Sequence, residues 1–123
     1  MKKTILIVLL LTLNSCYQFK ENGIQFIINN KSDFIIKNIK FTTSEKLAFM
    51  EFKKIEPNKS IDGFLPMINN KTDGSYILEF TRSNGIKESK NFGYYSNGKT
   101  AGGESVFFEV KNDTINSRFE ITN

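Results

Sequence analysis

The sequence predicts an all-β fold, an antiparallel sandwich of about seven or eight strands that follows an N-terminal apolar signal helix. Three observations support this prediction. Short apolar runs alternate with polar residues at period two, and clusters of turn residues separate the runs. The 12 Phe and 4 Tyr, with no Trp, suit the pleated surface of a sheet. Beyond the N-terminus, no run has a convincing helical period.

The first segment of the chain has the three parts of an export signal. Lys2 and Lys3 supply positive charge, residues 4–13 are apolar, and Leu13-Asn14-Ser15-Cys16 follows. A signal peptide needs about 7–15 apolar residues, and a run of this length is too short to span a bilayer. We therefore predict a cleaved signal peptide over residues 1–15.

The residues Leu13-Asn14-Ser15-Cys16 resemble the lipobox of bacterial lipoproteins. The resemblance implies a diacylglycerol on the sulfur of Cys16, cleavage before it, and acylation of the new amine with a chain such as palmitate. Several acyl chains anchor a protein stably, whereas a single chain binds only marginally. The implied location is the cell envelope, at the outer membrane, facing the periplasm or the cell surface. A plain secretory signal and a core thiol at Cys16 are the alternatives.

Two further short motifs resemble export features of Bacteroidetes. Residues 16–22 are expected to form a lipidated tether, and Lys20-Glu21 within them resembles the charged export signal of some surface lipoproteins. Asp113-Thr114-Ile115 resembles the O-glycosylation signal of exported proteins in that group, which implies a glycan on Thr114. The remaining residues 23–123 have the length of one domain.

The strand predictions begin with an alternating run at Ile24, Phe26 and Ile28, which a turn cluster over residues 29–33 ends. In the next run, Phe34 and Ile36 share one parity.

In the second half of this run, Ile39 and Phe41 lie at odd positions, whereas Phe34 and Ile36 lie at even positions, so a regular strand would point the two pairs to opposite faces. A β-bulge near Lys37-Asn38 would return both pairs to the core, and we predict one there.

The later runs follow the same pattern. For Leu47 to Ile55 we favour a strand, although several residues tolerate a helix. Gly63 and Pro66 mark Ser60 to Met67 as an edge strand. The other predicted elements are a strand over residues 76–80, a hairpin turn at 83–85, a return strand over 86–95, a turn at 97–98, and strands over 106–110 and 115–121. The layout resembles the immunoglobulin-like sandwiches of small exported lipoproteins.

The segment from Gly93 to Thr100 satisfies the written pattern of a phosphate-binding P-loop. That chemistry requires a strand before the loop and a helix after it. Another strand is expected after this segment, so we interpret it as a turn between strands and predict no nucleotide. Aromatic side chains beside a turn can stack on sugars or fill a pocket of a protein partner. Possible ligand contacts are therefore Tyr94, Tyr95, Asn97 and Lys99.

Composition bears on several classes of function. There is no His, and the single Cys is the predicted lipidation site, which removes the commonest catalytic and metal-binding residue types. Removal of residues 1–15 takes Lys2 and Lys3 away, leaving 15 basic against 13 acidic residues. That balance does not indicate nucleic-acid binding. We predict no enzyme activity, no metal and no cofactor.

The leading hypothesis is thus a lipid-anchored, non-enzymatic β-sandwich that binds a protein or glycan at the cell envelope. An alternative is an immunity or inhibitor protein that neutralises a toxin or hydrolase there. A third hypothesis is a hydrolase with paired carboxylates, as in glycosidases. Its candidate residues are Glu79, Glu88, Glu104 and Glu109.

Overall fold

The computed structural model describes residues 21–100 and 104–121, and these residues form eight β-strands. The predicted signal helix and Cys16 lie outside the described residues. The strands are β1 (Gly23–Asn30), β2 (Ile36–Thr43), β3 (Phe49–Ile55), β4 (Ser60–Pro66), β5 (Gly74–Thr81), β6 (Lys87–Tyr95), β7 (Glu104–Val110) and β8 (Ile115–Ile121). The all-β prediction is confirmed.

The strands form two four-stranded sheets. Sheet A has the order β4-β1-β7-β8, and sheet B has the order β3-β2-β5-β6. All pairs are antiparallel except β1 with β7, which run parallel. Parallel neighbours cannot be joined by a tight turn, and here the chain passes through all of sheet B between them. The edge position predicted for the fourth strand is confirmed, since β4 has a single neighbour.

The core lies between the sheets and is built from the side chains of each strand that point inward. Aromatic rings occupy its centre. The ring of Phe41 on β2 lies 4.5 Å from that of Phe26 on β1 and 5.8 Å from that of Phe108 on β7, measured between centroids. Tyr76 stacks on Phe41 at 6.2 Å. Burial of large aromatic side chains supplies much of the stabilisation in a core of this size.

The predicted irregularity in the second strand is present. The register of β2 against β5 shifts between Lys37 and Lys40, and Asn38 has a φ of 52°. Ile36 and Ile39 are consequently both buried despite their opposite parities. The prediction that Phe34 belongs to the core is wrong, because this residue lies in the loop before β2 and is 58% exposed.

The loops gather at two ends of the sandwich. The proximal end contains residues 21–22, 44–48, 67–73 and 96–100. Hydrogen bonds such as the one from Gly98 N–H to Thr72 O join these segments. The distal end contains residues 31–35, 56–59, 82–86 and 111–114, joined by bonds such as Arg82 to Lys111 O. The chain therefore enters the domain at the proximal end.

Candidate functional site

The predicted contact residues lie on a tight turn at the proximal end, which we call the Tyr94 turn (residues 94–99). Ser96 and Lys99 form a β-bridge across Asn97 and Gly98, whose φ values are 53° and 73°. Positive φ at both central residues is the geometry of a type I′ turn. A Cβ on Gly98 would lie 2.0 Å from the carbonyl oxygen of Asn70, so the close approach also requires glycine.

The two tyrosines of the turn point in different directions. Tyr94 is 65% exposed and available to a ligand, whereas Tyr95 is 2% exposed. The prediction of Tyr95 as a ligand contact is therefore wrong. Its ring packs against Tyr76 with the centroids 5.5 Å apart, inside the core. Asn97 and Lys99 are exposed beside Tyr94.

A carboxylate braces the exposed side of the turn. Asp73 accepts a hydrogen bond of 2.9 Å from the backbone N–H of Asn97. This bond, together with one from the Tyr94 hydroxyl, lowers the pKa of Asp73. The interaction with Asp73 in turn raises the pKa of Tyr94. The Tyr94 turn thus presents an aromatic ring and the side chain of Lys99, with the carboxylate of Asp73 beside them.

A buried polar network supports the turn from inside. The Tyr95 hydroxyl donates to Glu45 at 2.9 Å and accepts from the Asn70 amide at 3.0 Å. Burial raises the pKa of Glu45, but hydrogen bonds from the Lys71 N–H, Tyr95 and Thr72 outweigh it, and the pKa is lowered. The role of Tyr95 is therefore to tie the loops of the proximal end together.

The segment from Gly93 to Thr100 does not have the surroundings of a P-loop. It begins in β6, passes through the type I′ turn, and is followed by β7 from Glu104. The interpretation as a turn between strands is confirmed. Among the described residues, no group of three or more acidic, His or Cys side chains is placed to hold a metal ion.

The four glutamates of the hydrolase hypothesis do not meet at one site: Glu79 and Glu88 both line a depression on sheet B, whereas Glu104 and Glu109 lie on β7 of sheet A. Glu79 is on the outer face of sheet B, while Glu109 is on the outer face of sheet A near Arg118, 3.6 Å away. Glu88 forms an ion pair of 2.8 Å with Arg82. Glu104 begins β7. Glu79 and Glu88 share the depression on sheet B, with Glu88 held by its ion pair to Arg82, and the hydrolase hypothesis stays a prediction.

The outer face of sheet B carries a broad, open depression of about 780 Å³. At its centre, Lys40 on β2 is in register with Glu51 on β3 and with Glu79 on β5. Opposite charges directly across neighbouring strands stabilise a sheet by about 0.2–1 kcal/mol per pair. We interpret this row as stabilisation of a solvent-facing sheet surface.

A second exposed surface at the proximal end was not predicted from the sequence. Leu47, Phe49, Pro66 and Ile68, here called the apolar patch, line a shallow depression of about 290 Å³. Ile68 is 71% exposed and Phe49 is 56% exposed. The patch spans the edge strands β3 and β4, so it bridges the two sheets. The sequence signal for it is the run from Leu47 to Met50, in which every position is apolar, so that apolar side chains occur on both faces of the strand.

The two predicted modification sites differ in position. Cys16 lies outside the described residues, and its lipidation stays a prediction. Thr114 is exposed in the turn between β7 and β8 at the distal end, and its glycosylation stays a prediction as well. No helix of the described chain is long and apolar enough to cross a membrane.

Comparisons with known proteins give a structural relative only. No known family profile matches the chain, and no curated protein matches it either. Among solved structures, it is similar to the NMR structure of a protein from Eubacterium rectale, with a TM-score of 0.50. The likeness covers 81% of this chain and 88% of that chain at 19% sequence identity. The two proteins share a fold.

Proposed function

We propose that the chain is a lipid-anchored protein of the cell envelope whose β-sandwich is a non-enzymatic binding domain. The observation that carries this proposal is the order Lys2-Lys3, apolar residues 4–13, and Leu13-Asn14-Ser15-Cys16. Such a leader directs export, and Cys16 is the one thiol to which lipid can attach. With Cys16 acylated, acyl chains rather than a protein segment hold the domain at the membrane.

The Tyr94 turn is the proposed ligand-contact surface. Its hydrogen bonds to Asp73, Thr72 and Asn22 hold it in one conformation. Binding a ligand therefore costs little conformational entropy of the loop. The exposed ring of Tyr94 suits stacking on a sugar or insertion into a protein pocket. Asn97 and Lys99 offer hydrogen-bond donors beside it. A glycan and an envelope protein are the two ligand classes with this chemistry.

The anchor is tested by intact-mass analysis of the membrane fraction from cells that express the wild type or Cys16→Ser. The expected wild-type species begins at Cys16 and carries acyl chains, because the lipobox specifies both steps. Cys16→Ser should lack the acyl mass and leave the membrane fraction. Ser15→Ala is the matched control, expected to be processed normally because Ala is also small. A wild-type protein that retains residues 1–15 would contradict the proposal.

The contact surface is tested with Tyr94→Ala, using envelope glycans and envelope proteins as separate capture probes. Loss of a central aromatic contact should weaken binding by about tenfold or more. Phe34→Ala is the matched control, since Phe34 is similarly exposed but lies at the distal end. Equal affinity of Tyr94→Ala and wild type, with both folded, would remove the turn from the ligand site. Capture of a toxin or hydrolase would favour an inhibitor role over glycan binding.

A further inference from the structure

We propose that the apolar patch of Leu47, Phe49, Pro66 and Ile68 rests on the lipid bilayer and orients the anchored domain. The inference builds on the proposed lipid anchor at Cys16 and adds a second, protein-mediated contact with the same membrane. Its occupant is the interfacial region of the bilayer, where acyl chains and headgroups meet. Three features of the proximal end support this assignment.

The first feature is where the chain enters the domain. Asn22 pairs with Met67 through a backbone bond of 2.8 Å from Met67 N–H to Asn22 O. The Asn22 side chain also donates to Met67 O at 3.1 Å. Ile68, the most exposed member of the patch, is the next residue after Met67. The chain that comes from Cys16 therefore enters the domain beside the patch.

The second feature is the length of chain available. Six residue steps separate Cys16 from Asn22. Even fully extended, they span at most about 22 Å. A lipidated Cys16 lies at the membrane surface, so Asn22 stays within that distance of the bilayer in every orientation. The patch is held at a high local concentration near lipid, which makes even a weak interfacial contact effective.

The third feature is the chemistry of the surface. Leu47 is 53% exposed, and it lies with Phe49 and Ile68 on loops and strand ends, from which apolar side chains can enter the interface. Lys46 and Lys71 are exposed nearby, and lysines close to a membrane are attracted by anionic headgroups. The carboxylate of the adjacent Glu45 already accepts hydrogen bonds from the Lys71 and Thr72 N–H groups.

The proposed orientation leaves the ligand surface free. The patch lies on β3 and β4, at one lateral edge of the sandwich, while Tyr94 belongs to β6 at the opposite edge of sheet B. Contact of the β3–β4 edge with lipid therefore leaves the β6 edge, to which Tyr94 belongs, outside the proposed contact. The two surfaces can be occupied at the same time.

The experiment uses the absence of Trp from the chain. Ile68→Trp places one fluorophore in the patch, and Ile86→Trp places one at the distal end, at another exposed isoleucine. Each full-length lipoprotein, purified from membranes, is reconstituted into phosphatidylethanolamine–phosphatidylglycerol vesicles with or without brominated acyl chains. We expect brominated lipid to quench the Ile68→Trp emission about twofold or more, because interfacial side chains sit about 5–10 Å into the boundary. The Ile86→Trp emission should be unchanged.

Flotation of the vesicles separates this inference from the proposed anchor. If wild-type protein does not float with vesicles, the lipid anchor itself is wrong. If it floats but both Trp variants resist bromine equally, the anchor stands and the contact of the patch with lipid is overturned. A blue-shifted Ile68→Trp emission without bromine quenching would show that protein covers the patch, which also overturns it. Leu47→Ser in the Ile68→Trp background should reduce the quenching.

Discussion

Phe41→Ala should destabilise the domain by about 3–5 kcal/mol, a large part of the 5–15 kcal/mol that holds a typical domain together. Phe41 is fully buried, and its ring contacts rings from three other strands, Phe26, Tyr76 and Phe108. Removing it leaves a cavity between the sheets, at the point where β1, β2, β5 and β7 meet. Equilibrium urea unfolding followed by circular dichroism measures the change.

The matched control is Phe34→Ala, which removes the same ring from a residue that is 58% exposed. We expect a loss below about 1 kcal/mol, since surface substitutions rarely cost more. The comparison distinguishes the described fold from the arrangement predicted by sequence parity, which placed both phenylalanines in the core. Similar losses for the two variants would show that Phe34 is buried and that the loop before β2 is differently placed.

Much of the fold was predictable because β-strands leave a direct mark on sequence. A strand that buries one face has apolar residues at every second position, as at Ile24, Phe26 and Ile28. The bulge in β2 was predictable for the same reason, since a change of apolar parity within one strand needs an extra residue. The Asn97-Gly98 turn was predictable from residues that tolerate positive φ.

The alternation of apolar and polar residues along the chain could not determine which apolar residues are exposed. It also could not determine the order of the strands in each sheet. Phe34 has the parity of Ile36 but precedes the strand, so the pleat does not set its direction. Gly93, with a φ of 75°, breaks the alternation just before Tyr94 and Tyr95. Which of the two tyrosines is buried therefore depends on the tertiary structure and not on the local pattern. The parallel pairing of β1 with β7 depends on contacts between residues about 80 positions apart, which local patterns do not encode.

The candidate site was predictable only in part. The turn residues identified the segment around Tyr94, but its braces, Asp73 and Asn22, come from distant parts of the chain. The apolar patch has members from two strands and two loops, none of which is unusual by itself. Their meeting follows from the contact between β3 and β4 at the edge of the sandwich. The proposed lipid anchor, in contrast, rests on local sequence alone.

Asn30→Ala should destabilise the domain by about 2–4 kcal/mol, although it removes only a small amide. Asn30 ends β1 on the inward parity and is fully buried. Its amide nitrogen donates to Phe34 O at 2.8 Å and to Ile55 O at 2.9 Å, and its oxygen accepts from Ser32 N–H at 3.0 Å. One side chain therefore links β1 of sheet A with β3 of sheet B and with the loop before β2.

The large cost follows from what the substitution leaves behind. The Ile55 carbonyl oxygen and the Ser32 N–H lose a buried partner, Phe34 O keeps only the Ser32 hydroxyl, and Ala supplies no replacement. Asn29→Ala is the matched control, since this neighbouring side chain lies on the outer face of sheet A, and its loss should be within about 0.5 kcal/mol. Urea unfolding measures both variants. If they lose equal stability, the amide of Asn30 does not join the two sheets, and the distal end is held by its backbone bonds instead.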